Sequence, residues 1–172
     1  MDFFEVVEQR RSIRAFKDQP IEQRELQRIL ESVNRAPSAG NLQSYEVYLV
    51  QDAGQRAQLM KAAGDQEFLA QAPLVLVFCT HGQRAQARYG RRGTELYALQ
   101  DATIACTFAM LCATALGLSS VWVGAFDEQV VHKIVGAPAG QRPVVMLPVG
   151  YAAEAPPSPA RRHLADLVHP RP

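Results

Sequence analysis

The chain has 172 residues, a formal charge of +1, 48% hydrophobic residues and 20% charged ones. That length suits one domain spanning 1–172, the composition excludes a disordered chain, and the small net charge leaves no general basic field for nucleic acid or an anionic membrane. Cys79, Cys106 and Cys112 lie in apolar segments without a CxxC pair, which fits buried free thiols in a reducing cytoplasm.

Residues 2–9, DFFEVVEQ, place Phe3, Val6 and Val7 on one helical face behind Asp2 as a cap. Acidic residues among the apolar ones, with no cleavage site, do not read as a signal peptide. Pro20 opens a second helix, in which Leu26, Ile29, Leu30 and Val33 recur at helical spacing until APSAGN stops the pattern. YEVYLVQ (45–51) and LVLVFCT (74–80) predict strands, the second apolar on both faces and therefore central, with a short helix around 54–63 between them. Residues 94–116 give the longest helical pattern, apolar nearly all round and closed by Gly117, as expected of a helix through the core. Its most apolar part carries Thr103, Thr107 and Thr114 and falls short of a membrane span. SSVWVGAF (119–126) predicts a third strand running into Asp127, the cap of a helix ending near Gly136, and PVVMLPVG (143–150) a fourth. Residues 151–172 are proline-rich and aperiodic, so they are expected to lie along a surface, their own or a partner's. The opening pair of helices breaks βαβ order, so an α+β sandwich and a doubly wound sheet both remain open at this point.

Four stretches could carry chemistry. Arg10, Arg11 and Arg14 offer forked donors that match phosphate oxygens, with the Ser12 hydroxyl beside them; arginines after a helix also complement its dipole and sit in water. RAPSAGNLQ (35–43) can present the Asn41 and Gln43 amides to a flat polar ring edge, or can be a capped turn. GLSSVWVGAF places Trp122 as an aromatic wall beside the backbone of Val123 and Gly124, or is a core strand. RYGRRG, with Tyr89, Arg91 and Arg92, reads either as substrate contact or as a solvated basic loop. The sequence has no P-loop, GxGxxG, HExxH or nucleophile elbow, and His81, His132, His163 and His169 are too scattered to suggest a metal site.

In order, RRSIRAF, APSAGNLQSYE, the run from YGRRG to VWVGAF, and ARRHLADLVH resemble the nitroreductase family of FMN-dependent flavoproteins over essentially the whole chain. The resemblance implies an α+β three-layer sandwich, with a central, mainly antiparallel sheet flanked by helices. It implies an intertwined homodimer with FMN at the subunit interface and residues 151–172 as a C-terminal extension wrapping the partner. Carried over by position, Arg10, Arg11, Ser12 and Arg14, joined by Arg161 or Arg162, look like contacts to the FMN phosphate and ribityl chain. Arg35, Pro37, Ser38, Asn41 and Gln43 would serve the partner's flavin, Trp122 would wall the pocket, and the Val123 and Gly124 backbone would face flavin N5 and O4. Tyr89, Arg91 and Arg92 would meet substrate.

The implied activity is a ping-pong transfer of hydride from NADH or NADPH, through flavin N5, to a nitroaromatic, quinone or similar small-molecule acceptor. It needs no catalytic side chain and no metal. The same scaffold also supports dehalogenation, flavin fragmentation or flavin holding without turnover. A cytoplasmic setting, with neither membrane nor nucleic-acid partner, completes the expectation. This chain departs from the family in having Ser44 and Tyr45 where many members have Pro-Trp, in its adjacent Arg161 and Arg162, and in lacking a longer mid-chain excursion over the flavin.

Overall fold

The computed structural model describes residues 1–171; Pro172, the end of the expected extension, lies outside the described residues. Helix α1 (Phe3–Gln9) starts at Asp2, whose carboxylate accepts the Glu5 N–H at 3.0 Å. Helix α2 (Gln23–Asn34) buries Leu26, Ile29 and Val33, the stripe its spacing predicts. Strand β1 (Tyr45–Val50), helix α3 (Ala53–Ala62), a four-residue helix α4 (Phe68–Gln71) that the sequence did not announce, and strand β2 (Leu74–His81) follow. Then come α5 (Gly82–Arg92), a π-helical turn (Gly93–Tyr97), α6 (Ala98–Ala115), β3 (Ser119–Ser120), α7 (Glu128–Val135) and β4 (Gln141–Gly150).

The sheet order is β1-β2-β4-β3, with every neighbouring pair antiparallel, so the doubly wound alternative falls and the fold is α+β. Side chains alternate across β2. Leu74, Leu76 and Phe78 pack under α2 and α6, whereas Val75, Val77 and Cys79 face the α3, α4 and α7 layer. Covering both faces leaves Leu76, Val77 and Phe78 fully buried, each contributing about 1.5–3 kcal/mol. Helix α6 reaches the sheet through a stripe of small residues, Ala98, Ala102, Ala105, Ala109 and Ala113, at spacings of three or four.

The structure corrects two expectations. The third strand, predicted over 119–126, is only Ser119–Ser120 plus an isolated bridge in which Val123 and Met146 exchange backbone bonds of 2.9 and 3.0 Å. The same register would next need an N–H from Pro148, which has none, so the ladder breaks between them. The helix predicted over 94–116 is preceded by α5, and Gly82–Ala115 forms a 34-residue helical run that is long and apolar enough to cross a membrane. It is not straight. At Gly90 (φ 54°, ψ −142°) the chain turns back, so that a Cβ at Gly93 would sit 2.5 Å from the Ala85 carbonyl and one at Gly82 would sit 2.8 Å from Thr94 Cγ2. Residues twelve apart on a continuous helix would be separated by ~18 Å.

Candidate functional site

The first candidate region begins where α1 ends. Ile13 and Phe16 are buried anchors, and the strip between them is fastened on both sides. Ile13 donates to the Ser120 carbonyl at 3.1 Å, Lys17 to Tyr151 at 2.9 Å, and Ala153 back to Ala15 at 2.9 Å. The arginines are thus held beside the start of the C-terminal extension, and the Arg14 N–H donates to the Glu154 carboxylate. Arg10, Arg11, Ser12 and Arg14 line a cavity of about 370 Å³, closed from the other side by Pro156, Pro157, Pro159 and Arg161.

Within that cavity positive charge is crowded. Partial burial lowers the Arg10 pKa, and the charges of Arg161 and Arg11 lower it further. Arg10, Arg11, Arg14 and Arg161 form no ion pair with a carboxylate among the described residues. A donor set of this kind is completed by a dianionic group, and a phosphate monoester, carrying about −1.5 to −2, fits it. Arg162 is not on the cavity wall; its Nη2 donates to the Asp166 carbonyl at 2.6 Å. The adjacent pair is therefore divided, one arginine toward the cluster and one bracing the final turn, Leu164–Asp166.

The second region is the loop after α2. Arg35 closes that helix and is exposed, Pro37 follows, and Ala39–Asn41 makes a tight 3₁₀ turn. Gly40, Asn41 and Gln43 all have positive φ, a costly run that outside bonds must hold. Asp101, 1% exposed on α6, accepts the Ala39 N–H at 2.9 Å and the Ser44 N–H at 3.2 Å. Gln43 N–H donates to Ser38 Oγ at 3.0 Å, and Gln43 Nε2 to Asn41 Oδ1 at 2.8 Å. Pro37 and Ser38 share a cavity of about 490 Å³ with Tyr97, Gln100 and Asp101. Asp101 was missed in the sequence, although a lone carboxylate in an apolar helix was its signal. Ser44 and Tyr45 are buried, with the Tyr45 hydroxyl donating to Val33 at 2.8 Å, so these replacements for Pro-Trp belong to the core rather than to a pocket wall.

The third region is the broken end of β3. Trp122 is 38% exposed. Both Val123 backbone groups are committed to Met146, so Val123 cannot turn its N–H to a ligand, contrary to the expectation. Gly124 is exposed and its N–H has no hydrogen-bond partner among the described residues; a Cβ there would lie 3.4 Å from Trp122 Nε1. Tyr89, Arg91 and Arg92, the stretch with substrate-contact and solvated-loop readings, lie not in a loop but at the end of α5, where Gly90 turns the chain.

Within the chain these regions lie apart. The arginine cavity abuts the C-terminal half of α6, where Arg10 Nη1 lies 3.9 Å from Met110 Sδ, whereas the loop is pinned at Asp101. Nine helical residues separate those points, about 13 Å.

Comparison with known proteins agrees with the fold. The family model described as "Nitroreductase family" matches residues 7–66 and 55–151. An FMN reductase [NAD(P)H] of Bacillus subtilis is 33% identical over 157 residues, an alignment that takes in 84% of this chain and 63% of that protein. An NADH dehydrogenase of Thermus thermophilus is 31% identical over 172 residues, covering 84% of each. Among solved structures, NfrA2 of B. megaterium superposes with a TM-score of 0.92 at 28% identity, over 98% of this chain and 74% of that one. NADPH:FMN oxidoreductase from Vibrio harveyi, complexed with NAD+, gives 0.90 at 26% identity, over 98% and 76%. The chain belongs to the nitroreductase family.

Proposed function

We propose that this chain is an FMN-dependent oxidoreductase that uses NAD(P)H to reduce an electron-poor acceptor such as a nitroaromatic or quinone, working as a homodimer in a reducing cytoplasm. The observation that carries the reading is the arginine cavity, built from both ends of the chain and lacking a carboxylate counterion among the described residues. When bound, FMN supplies the hydride chemistry. The chain supplies binding and orientation. Arg10, Arg11, Ser12, Arg14 and Arg161 take the phosphate, while Arg162 braces the extension. From the other subunit Arg35, Pro37, Ser38, Asn41 and Gln43 approach the ring edge, the placement that membership of the family suggests for this loop. Gly124 donates its N–H to the polar side of the ring, beside Trp122.

The name of the Bacillus relative, together with its 33% identity, supports the cofactor and the donor class. Purified protein is expected to be yellow, with about one FMN per chain. Arg14→Ala is expected to weaken FMN retention about tenfold or more, through loss of charge-assisted bonds, and Arg91→Ala to leave it near wild type. Equal FMN affinities for the two variants in a fluorescence titration would remove the phosphate role.

A further inference from the structure

The strip carrying the arginines and the start of the C-terminal extension are joined by a short ladder, and where that ladder ends decides where the two walls of the arginine cavity part. Lys17 donates to the Tyr151 carbonyl and Ala153 to the Ala15 carbonyl, each at 2.9 Å, with Phe16 opposite Ala152. In that register the next hydrogen-bonded pair would be Ile13 with Ala155. No such pair forms among the described residues, because the Ile13 N–H is given instead to the Ser120 carbonyl at 3.1 Å. Past Ala155 the extension runs through Pro156, Pro157 and Pro159, which have no N–H with which to resume a ladder.

A side chain takes over where the backbone stops. The Arg14 N–H donates to the carboxylate of Glu154, the last tie between strip and extension before the prolines among the described residues. Glu154 also stands beside the arginines. It lines a second cavity of about 370 Å³ that shares Arg10, Arg11 and Pro156 with the first. Although so near them, its carboxylate forms no ion pair with a guanidinium among the described residues. Held on a backbone N–H, it leaves those side chains free for another anion.

We infer that Glu154 is a positioning residue for the phosphate site, acting through Arg14. By holding the Arg14 backbone against the extension it fixes the gap across which Arg14, on one wall, and Arg161, on the other, grip one dianion. Without that tie the walls are joined only at residues 15–17 and 151–153, and part of the binding free energy goes into ordering them. The identity of the dianion, the FMN phosphate, rests on the proposed flavoenzyme reading.

The test is a flavin-fluorescence titration of the full-length chain, Glu154→Ala and Glu154→Gln, each with FMN and with riboflavin, which lacks the phosphate. Removing a negative charge beside arginines by itself favours a dianion, so positioning and simple charge predict opposite signs for the alanine variant. Wild type is expected to prefer FMN over riboflavin about tenfold or more, and Glu154→Ala to lose about tenfold in FMN affinity with riboflavin unchanged. Glu154→Gln, whose amide oxygen still accepts the Arg14 N–H, should bind FMN at least as tightly as wild type. Glu154→Met, which keeps the bulk and lacks the acceptor, replaces the alanine variant if that one does not fold. A positioning role is overturned if the variant without an acceptor binds FMN as tightly as wild type or tighter, or if Glu154→Gln is equally weak. It is also overturned if riboflavin affinity falls by the same factor as FMN affinity, as a general loss of structure would produce. A wild-type chain that binds FMN no tighter than riboflavin would remove the phosphate reading and this role with it, whereas a wild-type preference that survives without the acceptor removes this role alone.

Discussion

Asp101 concentrates the cost of the candidate loop on one side chain. Its two oxygens accept the N–H groups of Ala39 and Ser44, which flank the positive-φ run from Gly40 to Gln43. Asp101→Asn keeps the shape but sets an amide donor against an N–H, so a loss of about 2–4 kcal/mol in urea unfolding is expected. FMN retention should fall with it, because the loop is proposed to meet the flavin. Cys79 gives a pH prediction. Burial, with Glu46 adding, pushes its thiol from 9.0 up to about 12, and burial alone raises Cys106 as well. The unfolded chain sheds these protons above pH 9 while the folded chain keeps them. The stabilisation is therefore full below pH 9 and disappears as pH climbs toward 12, by ~1.4 kcal/mol per thiol per unit. The urea midpoint should drop between pH 8 and 10.5, and drop less in Cys79→Ala.

At the scale of elements, the fold-back between α5 and α6 depends on close approach. Gly93→Ala would put a methyl 2.5 Å from the Ala85 carbonyl, a backbone atom that cannot swing away. A loss of about 1–3 kcal/mol is expected, read as a lower melting temperature. Helices α1, α2, α3 and α7 and the central strands were legible because each shows a clean period or cap; Asp127, for example, caps α7 at 2.9 and 3.1 Å as its position suggests. What was not legible depended on partners distant in sequence. The third strand failed at Pro148, on the opposite strand, and α5 stayed hidden because its polar surface carries no apolar stripe before Gly90 reverses it. The site divides in the same way. The arginine motif was visible as a local cluster, but the choice of Arg161 over Arg162 needed the tail's path, and the loss of Val123 as a donor needed Met146.

At the scale of the whole molecule, groups of three uncovered apolar side chains stand on α1 and on the C-terminal extension. Phe3, Phe4 and Val7 are 66%, 80% and 51% exposed on α1, and Leu164, Leu167 and Val168 are exposed on the extension. A second copy of the chain is the occupant that the proposed dimer supplies. Light scattering should therefore return twice the 19.0 kDa chain mass, and removing residues 153–172 should shift the mass toward one chain and release FMN.

The distance along α6 between the arginine cavity and the loop pinned at Asp101 has a consequence for mixtures. If each flavin takes its arginines from one copy and its loop from the other, two inactive variants can rescue one another. Arg14→Ala and Asp101→Asn, refolded together at equal amounts, would form mixed dimers in which one site carries both lesions and the other carries none. About one site in four across the preparation should then regain wild-type FMN binding, whereas either variant alone would have none. Complementation of this kind tests the shared site directly and requires no knowledge of the acceptor.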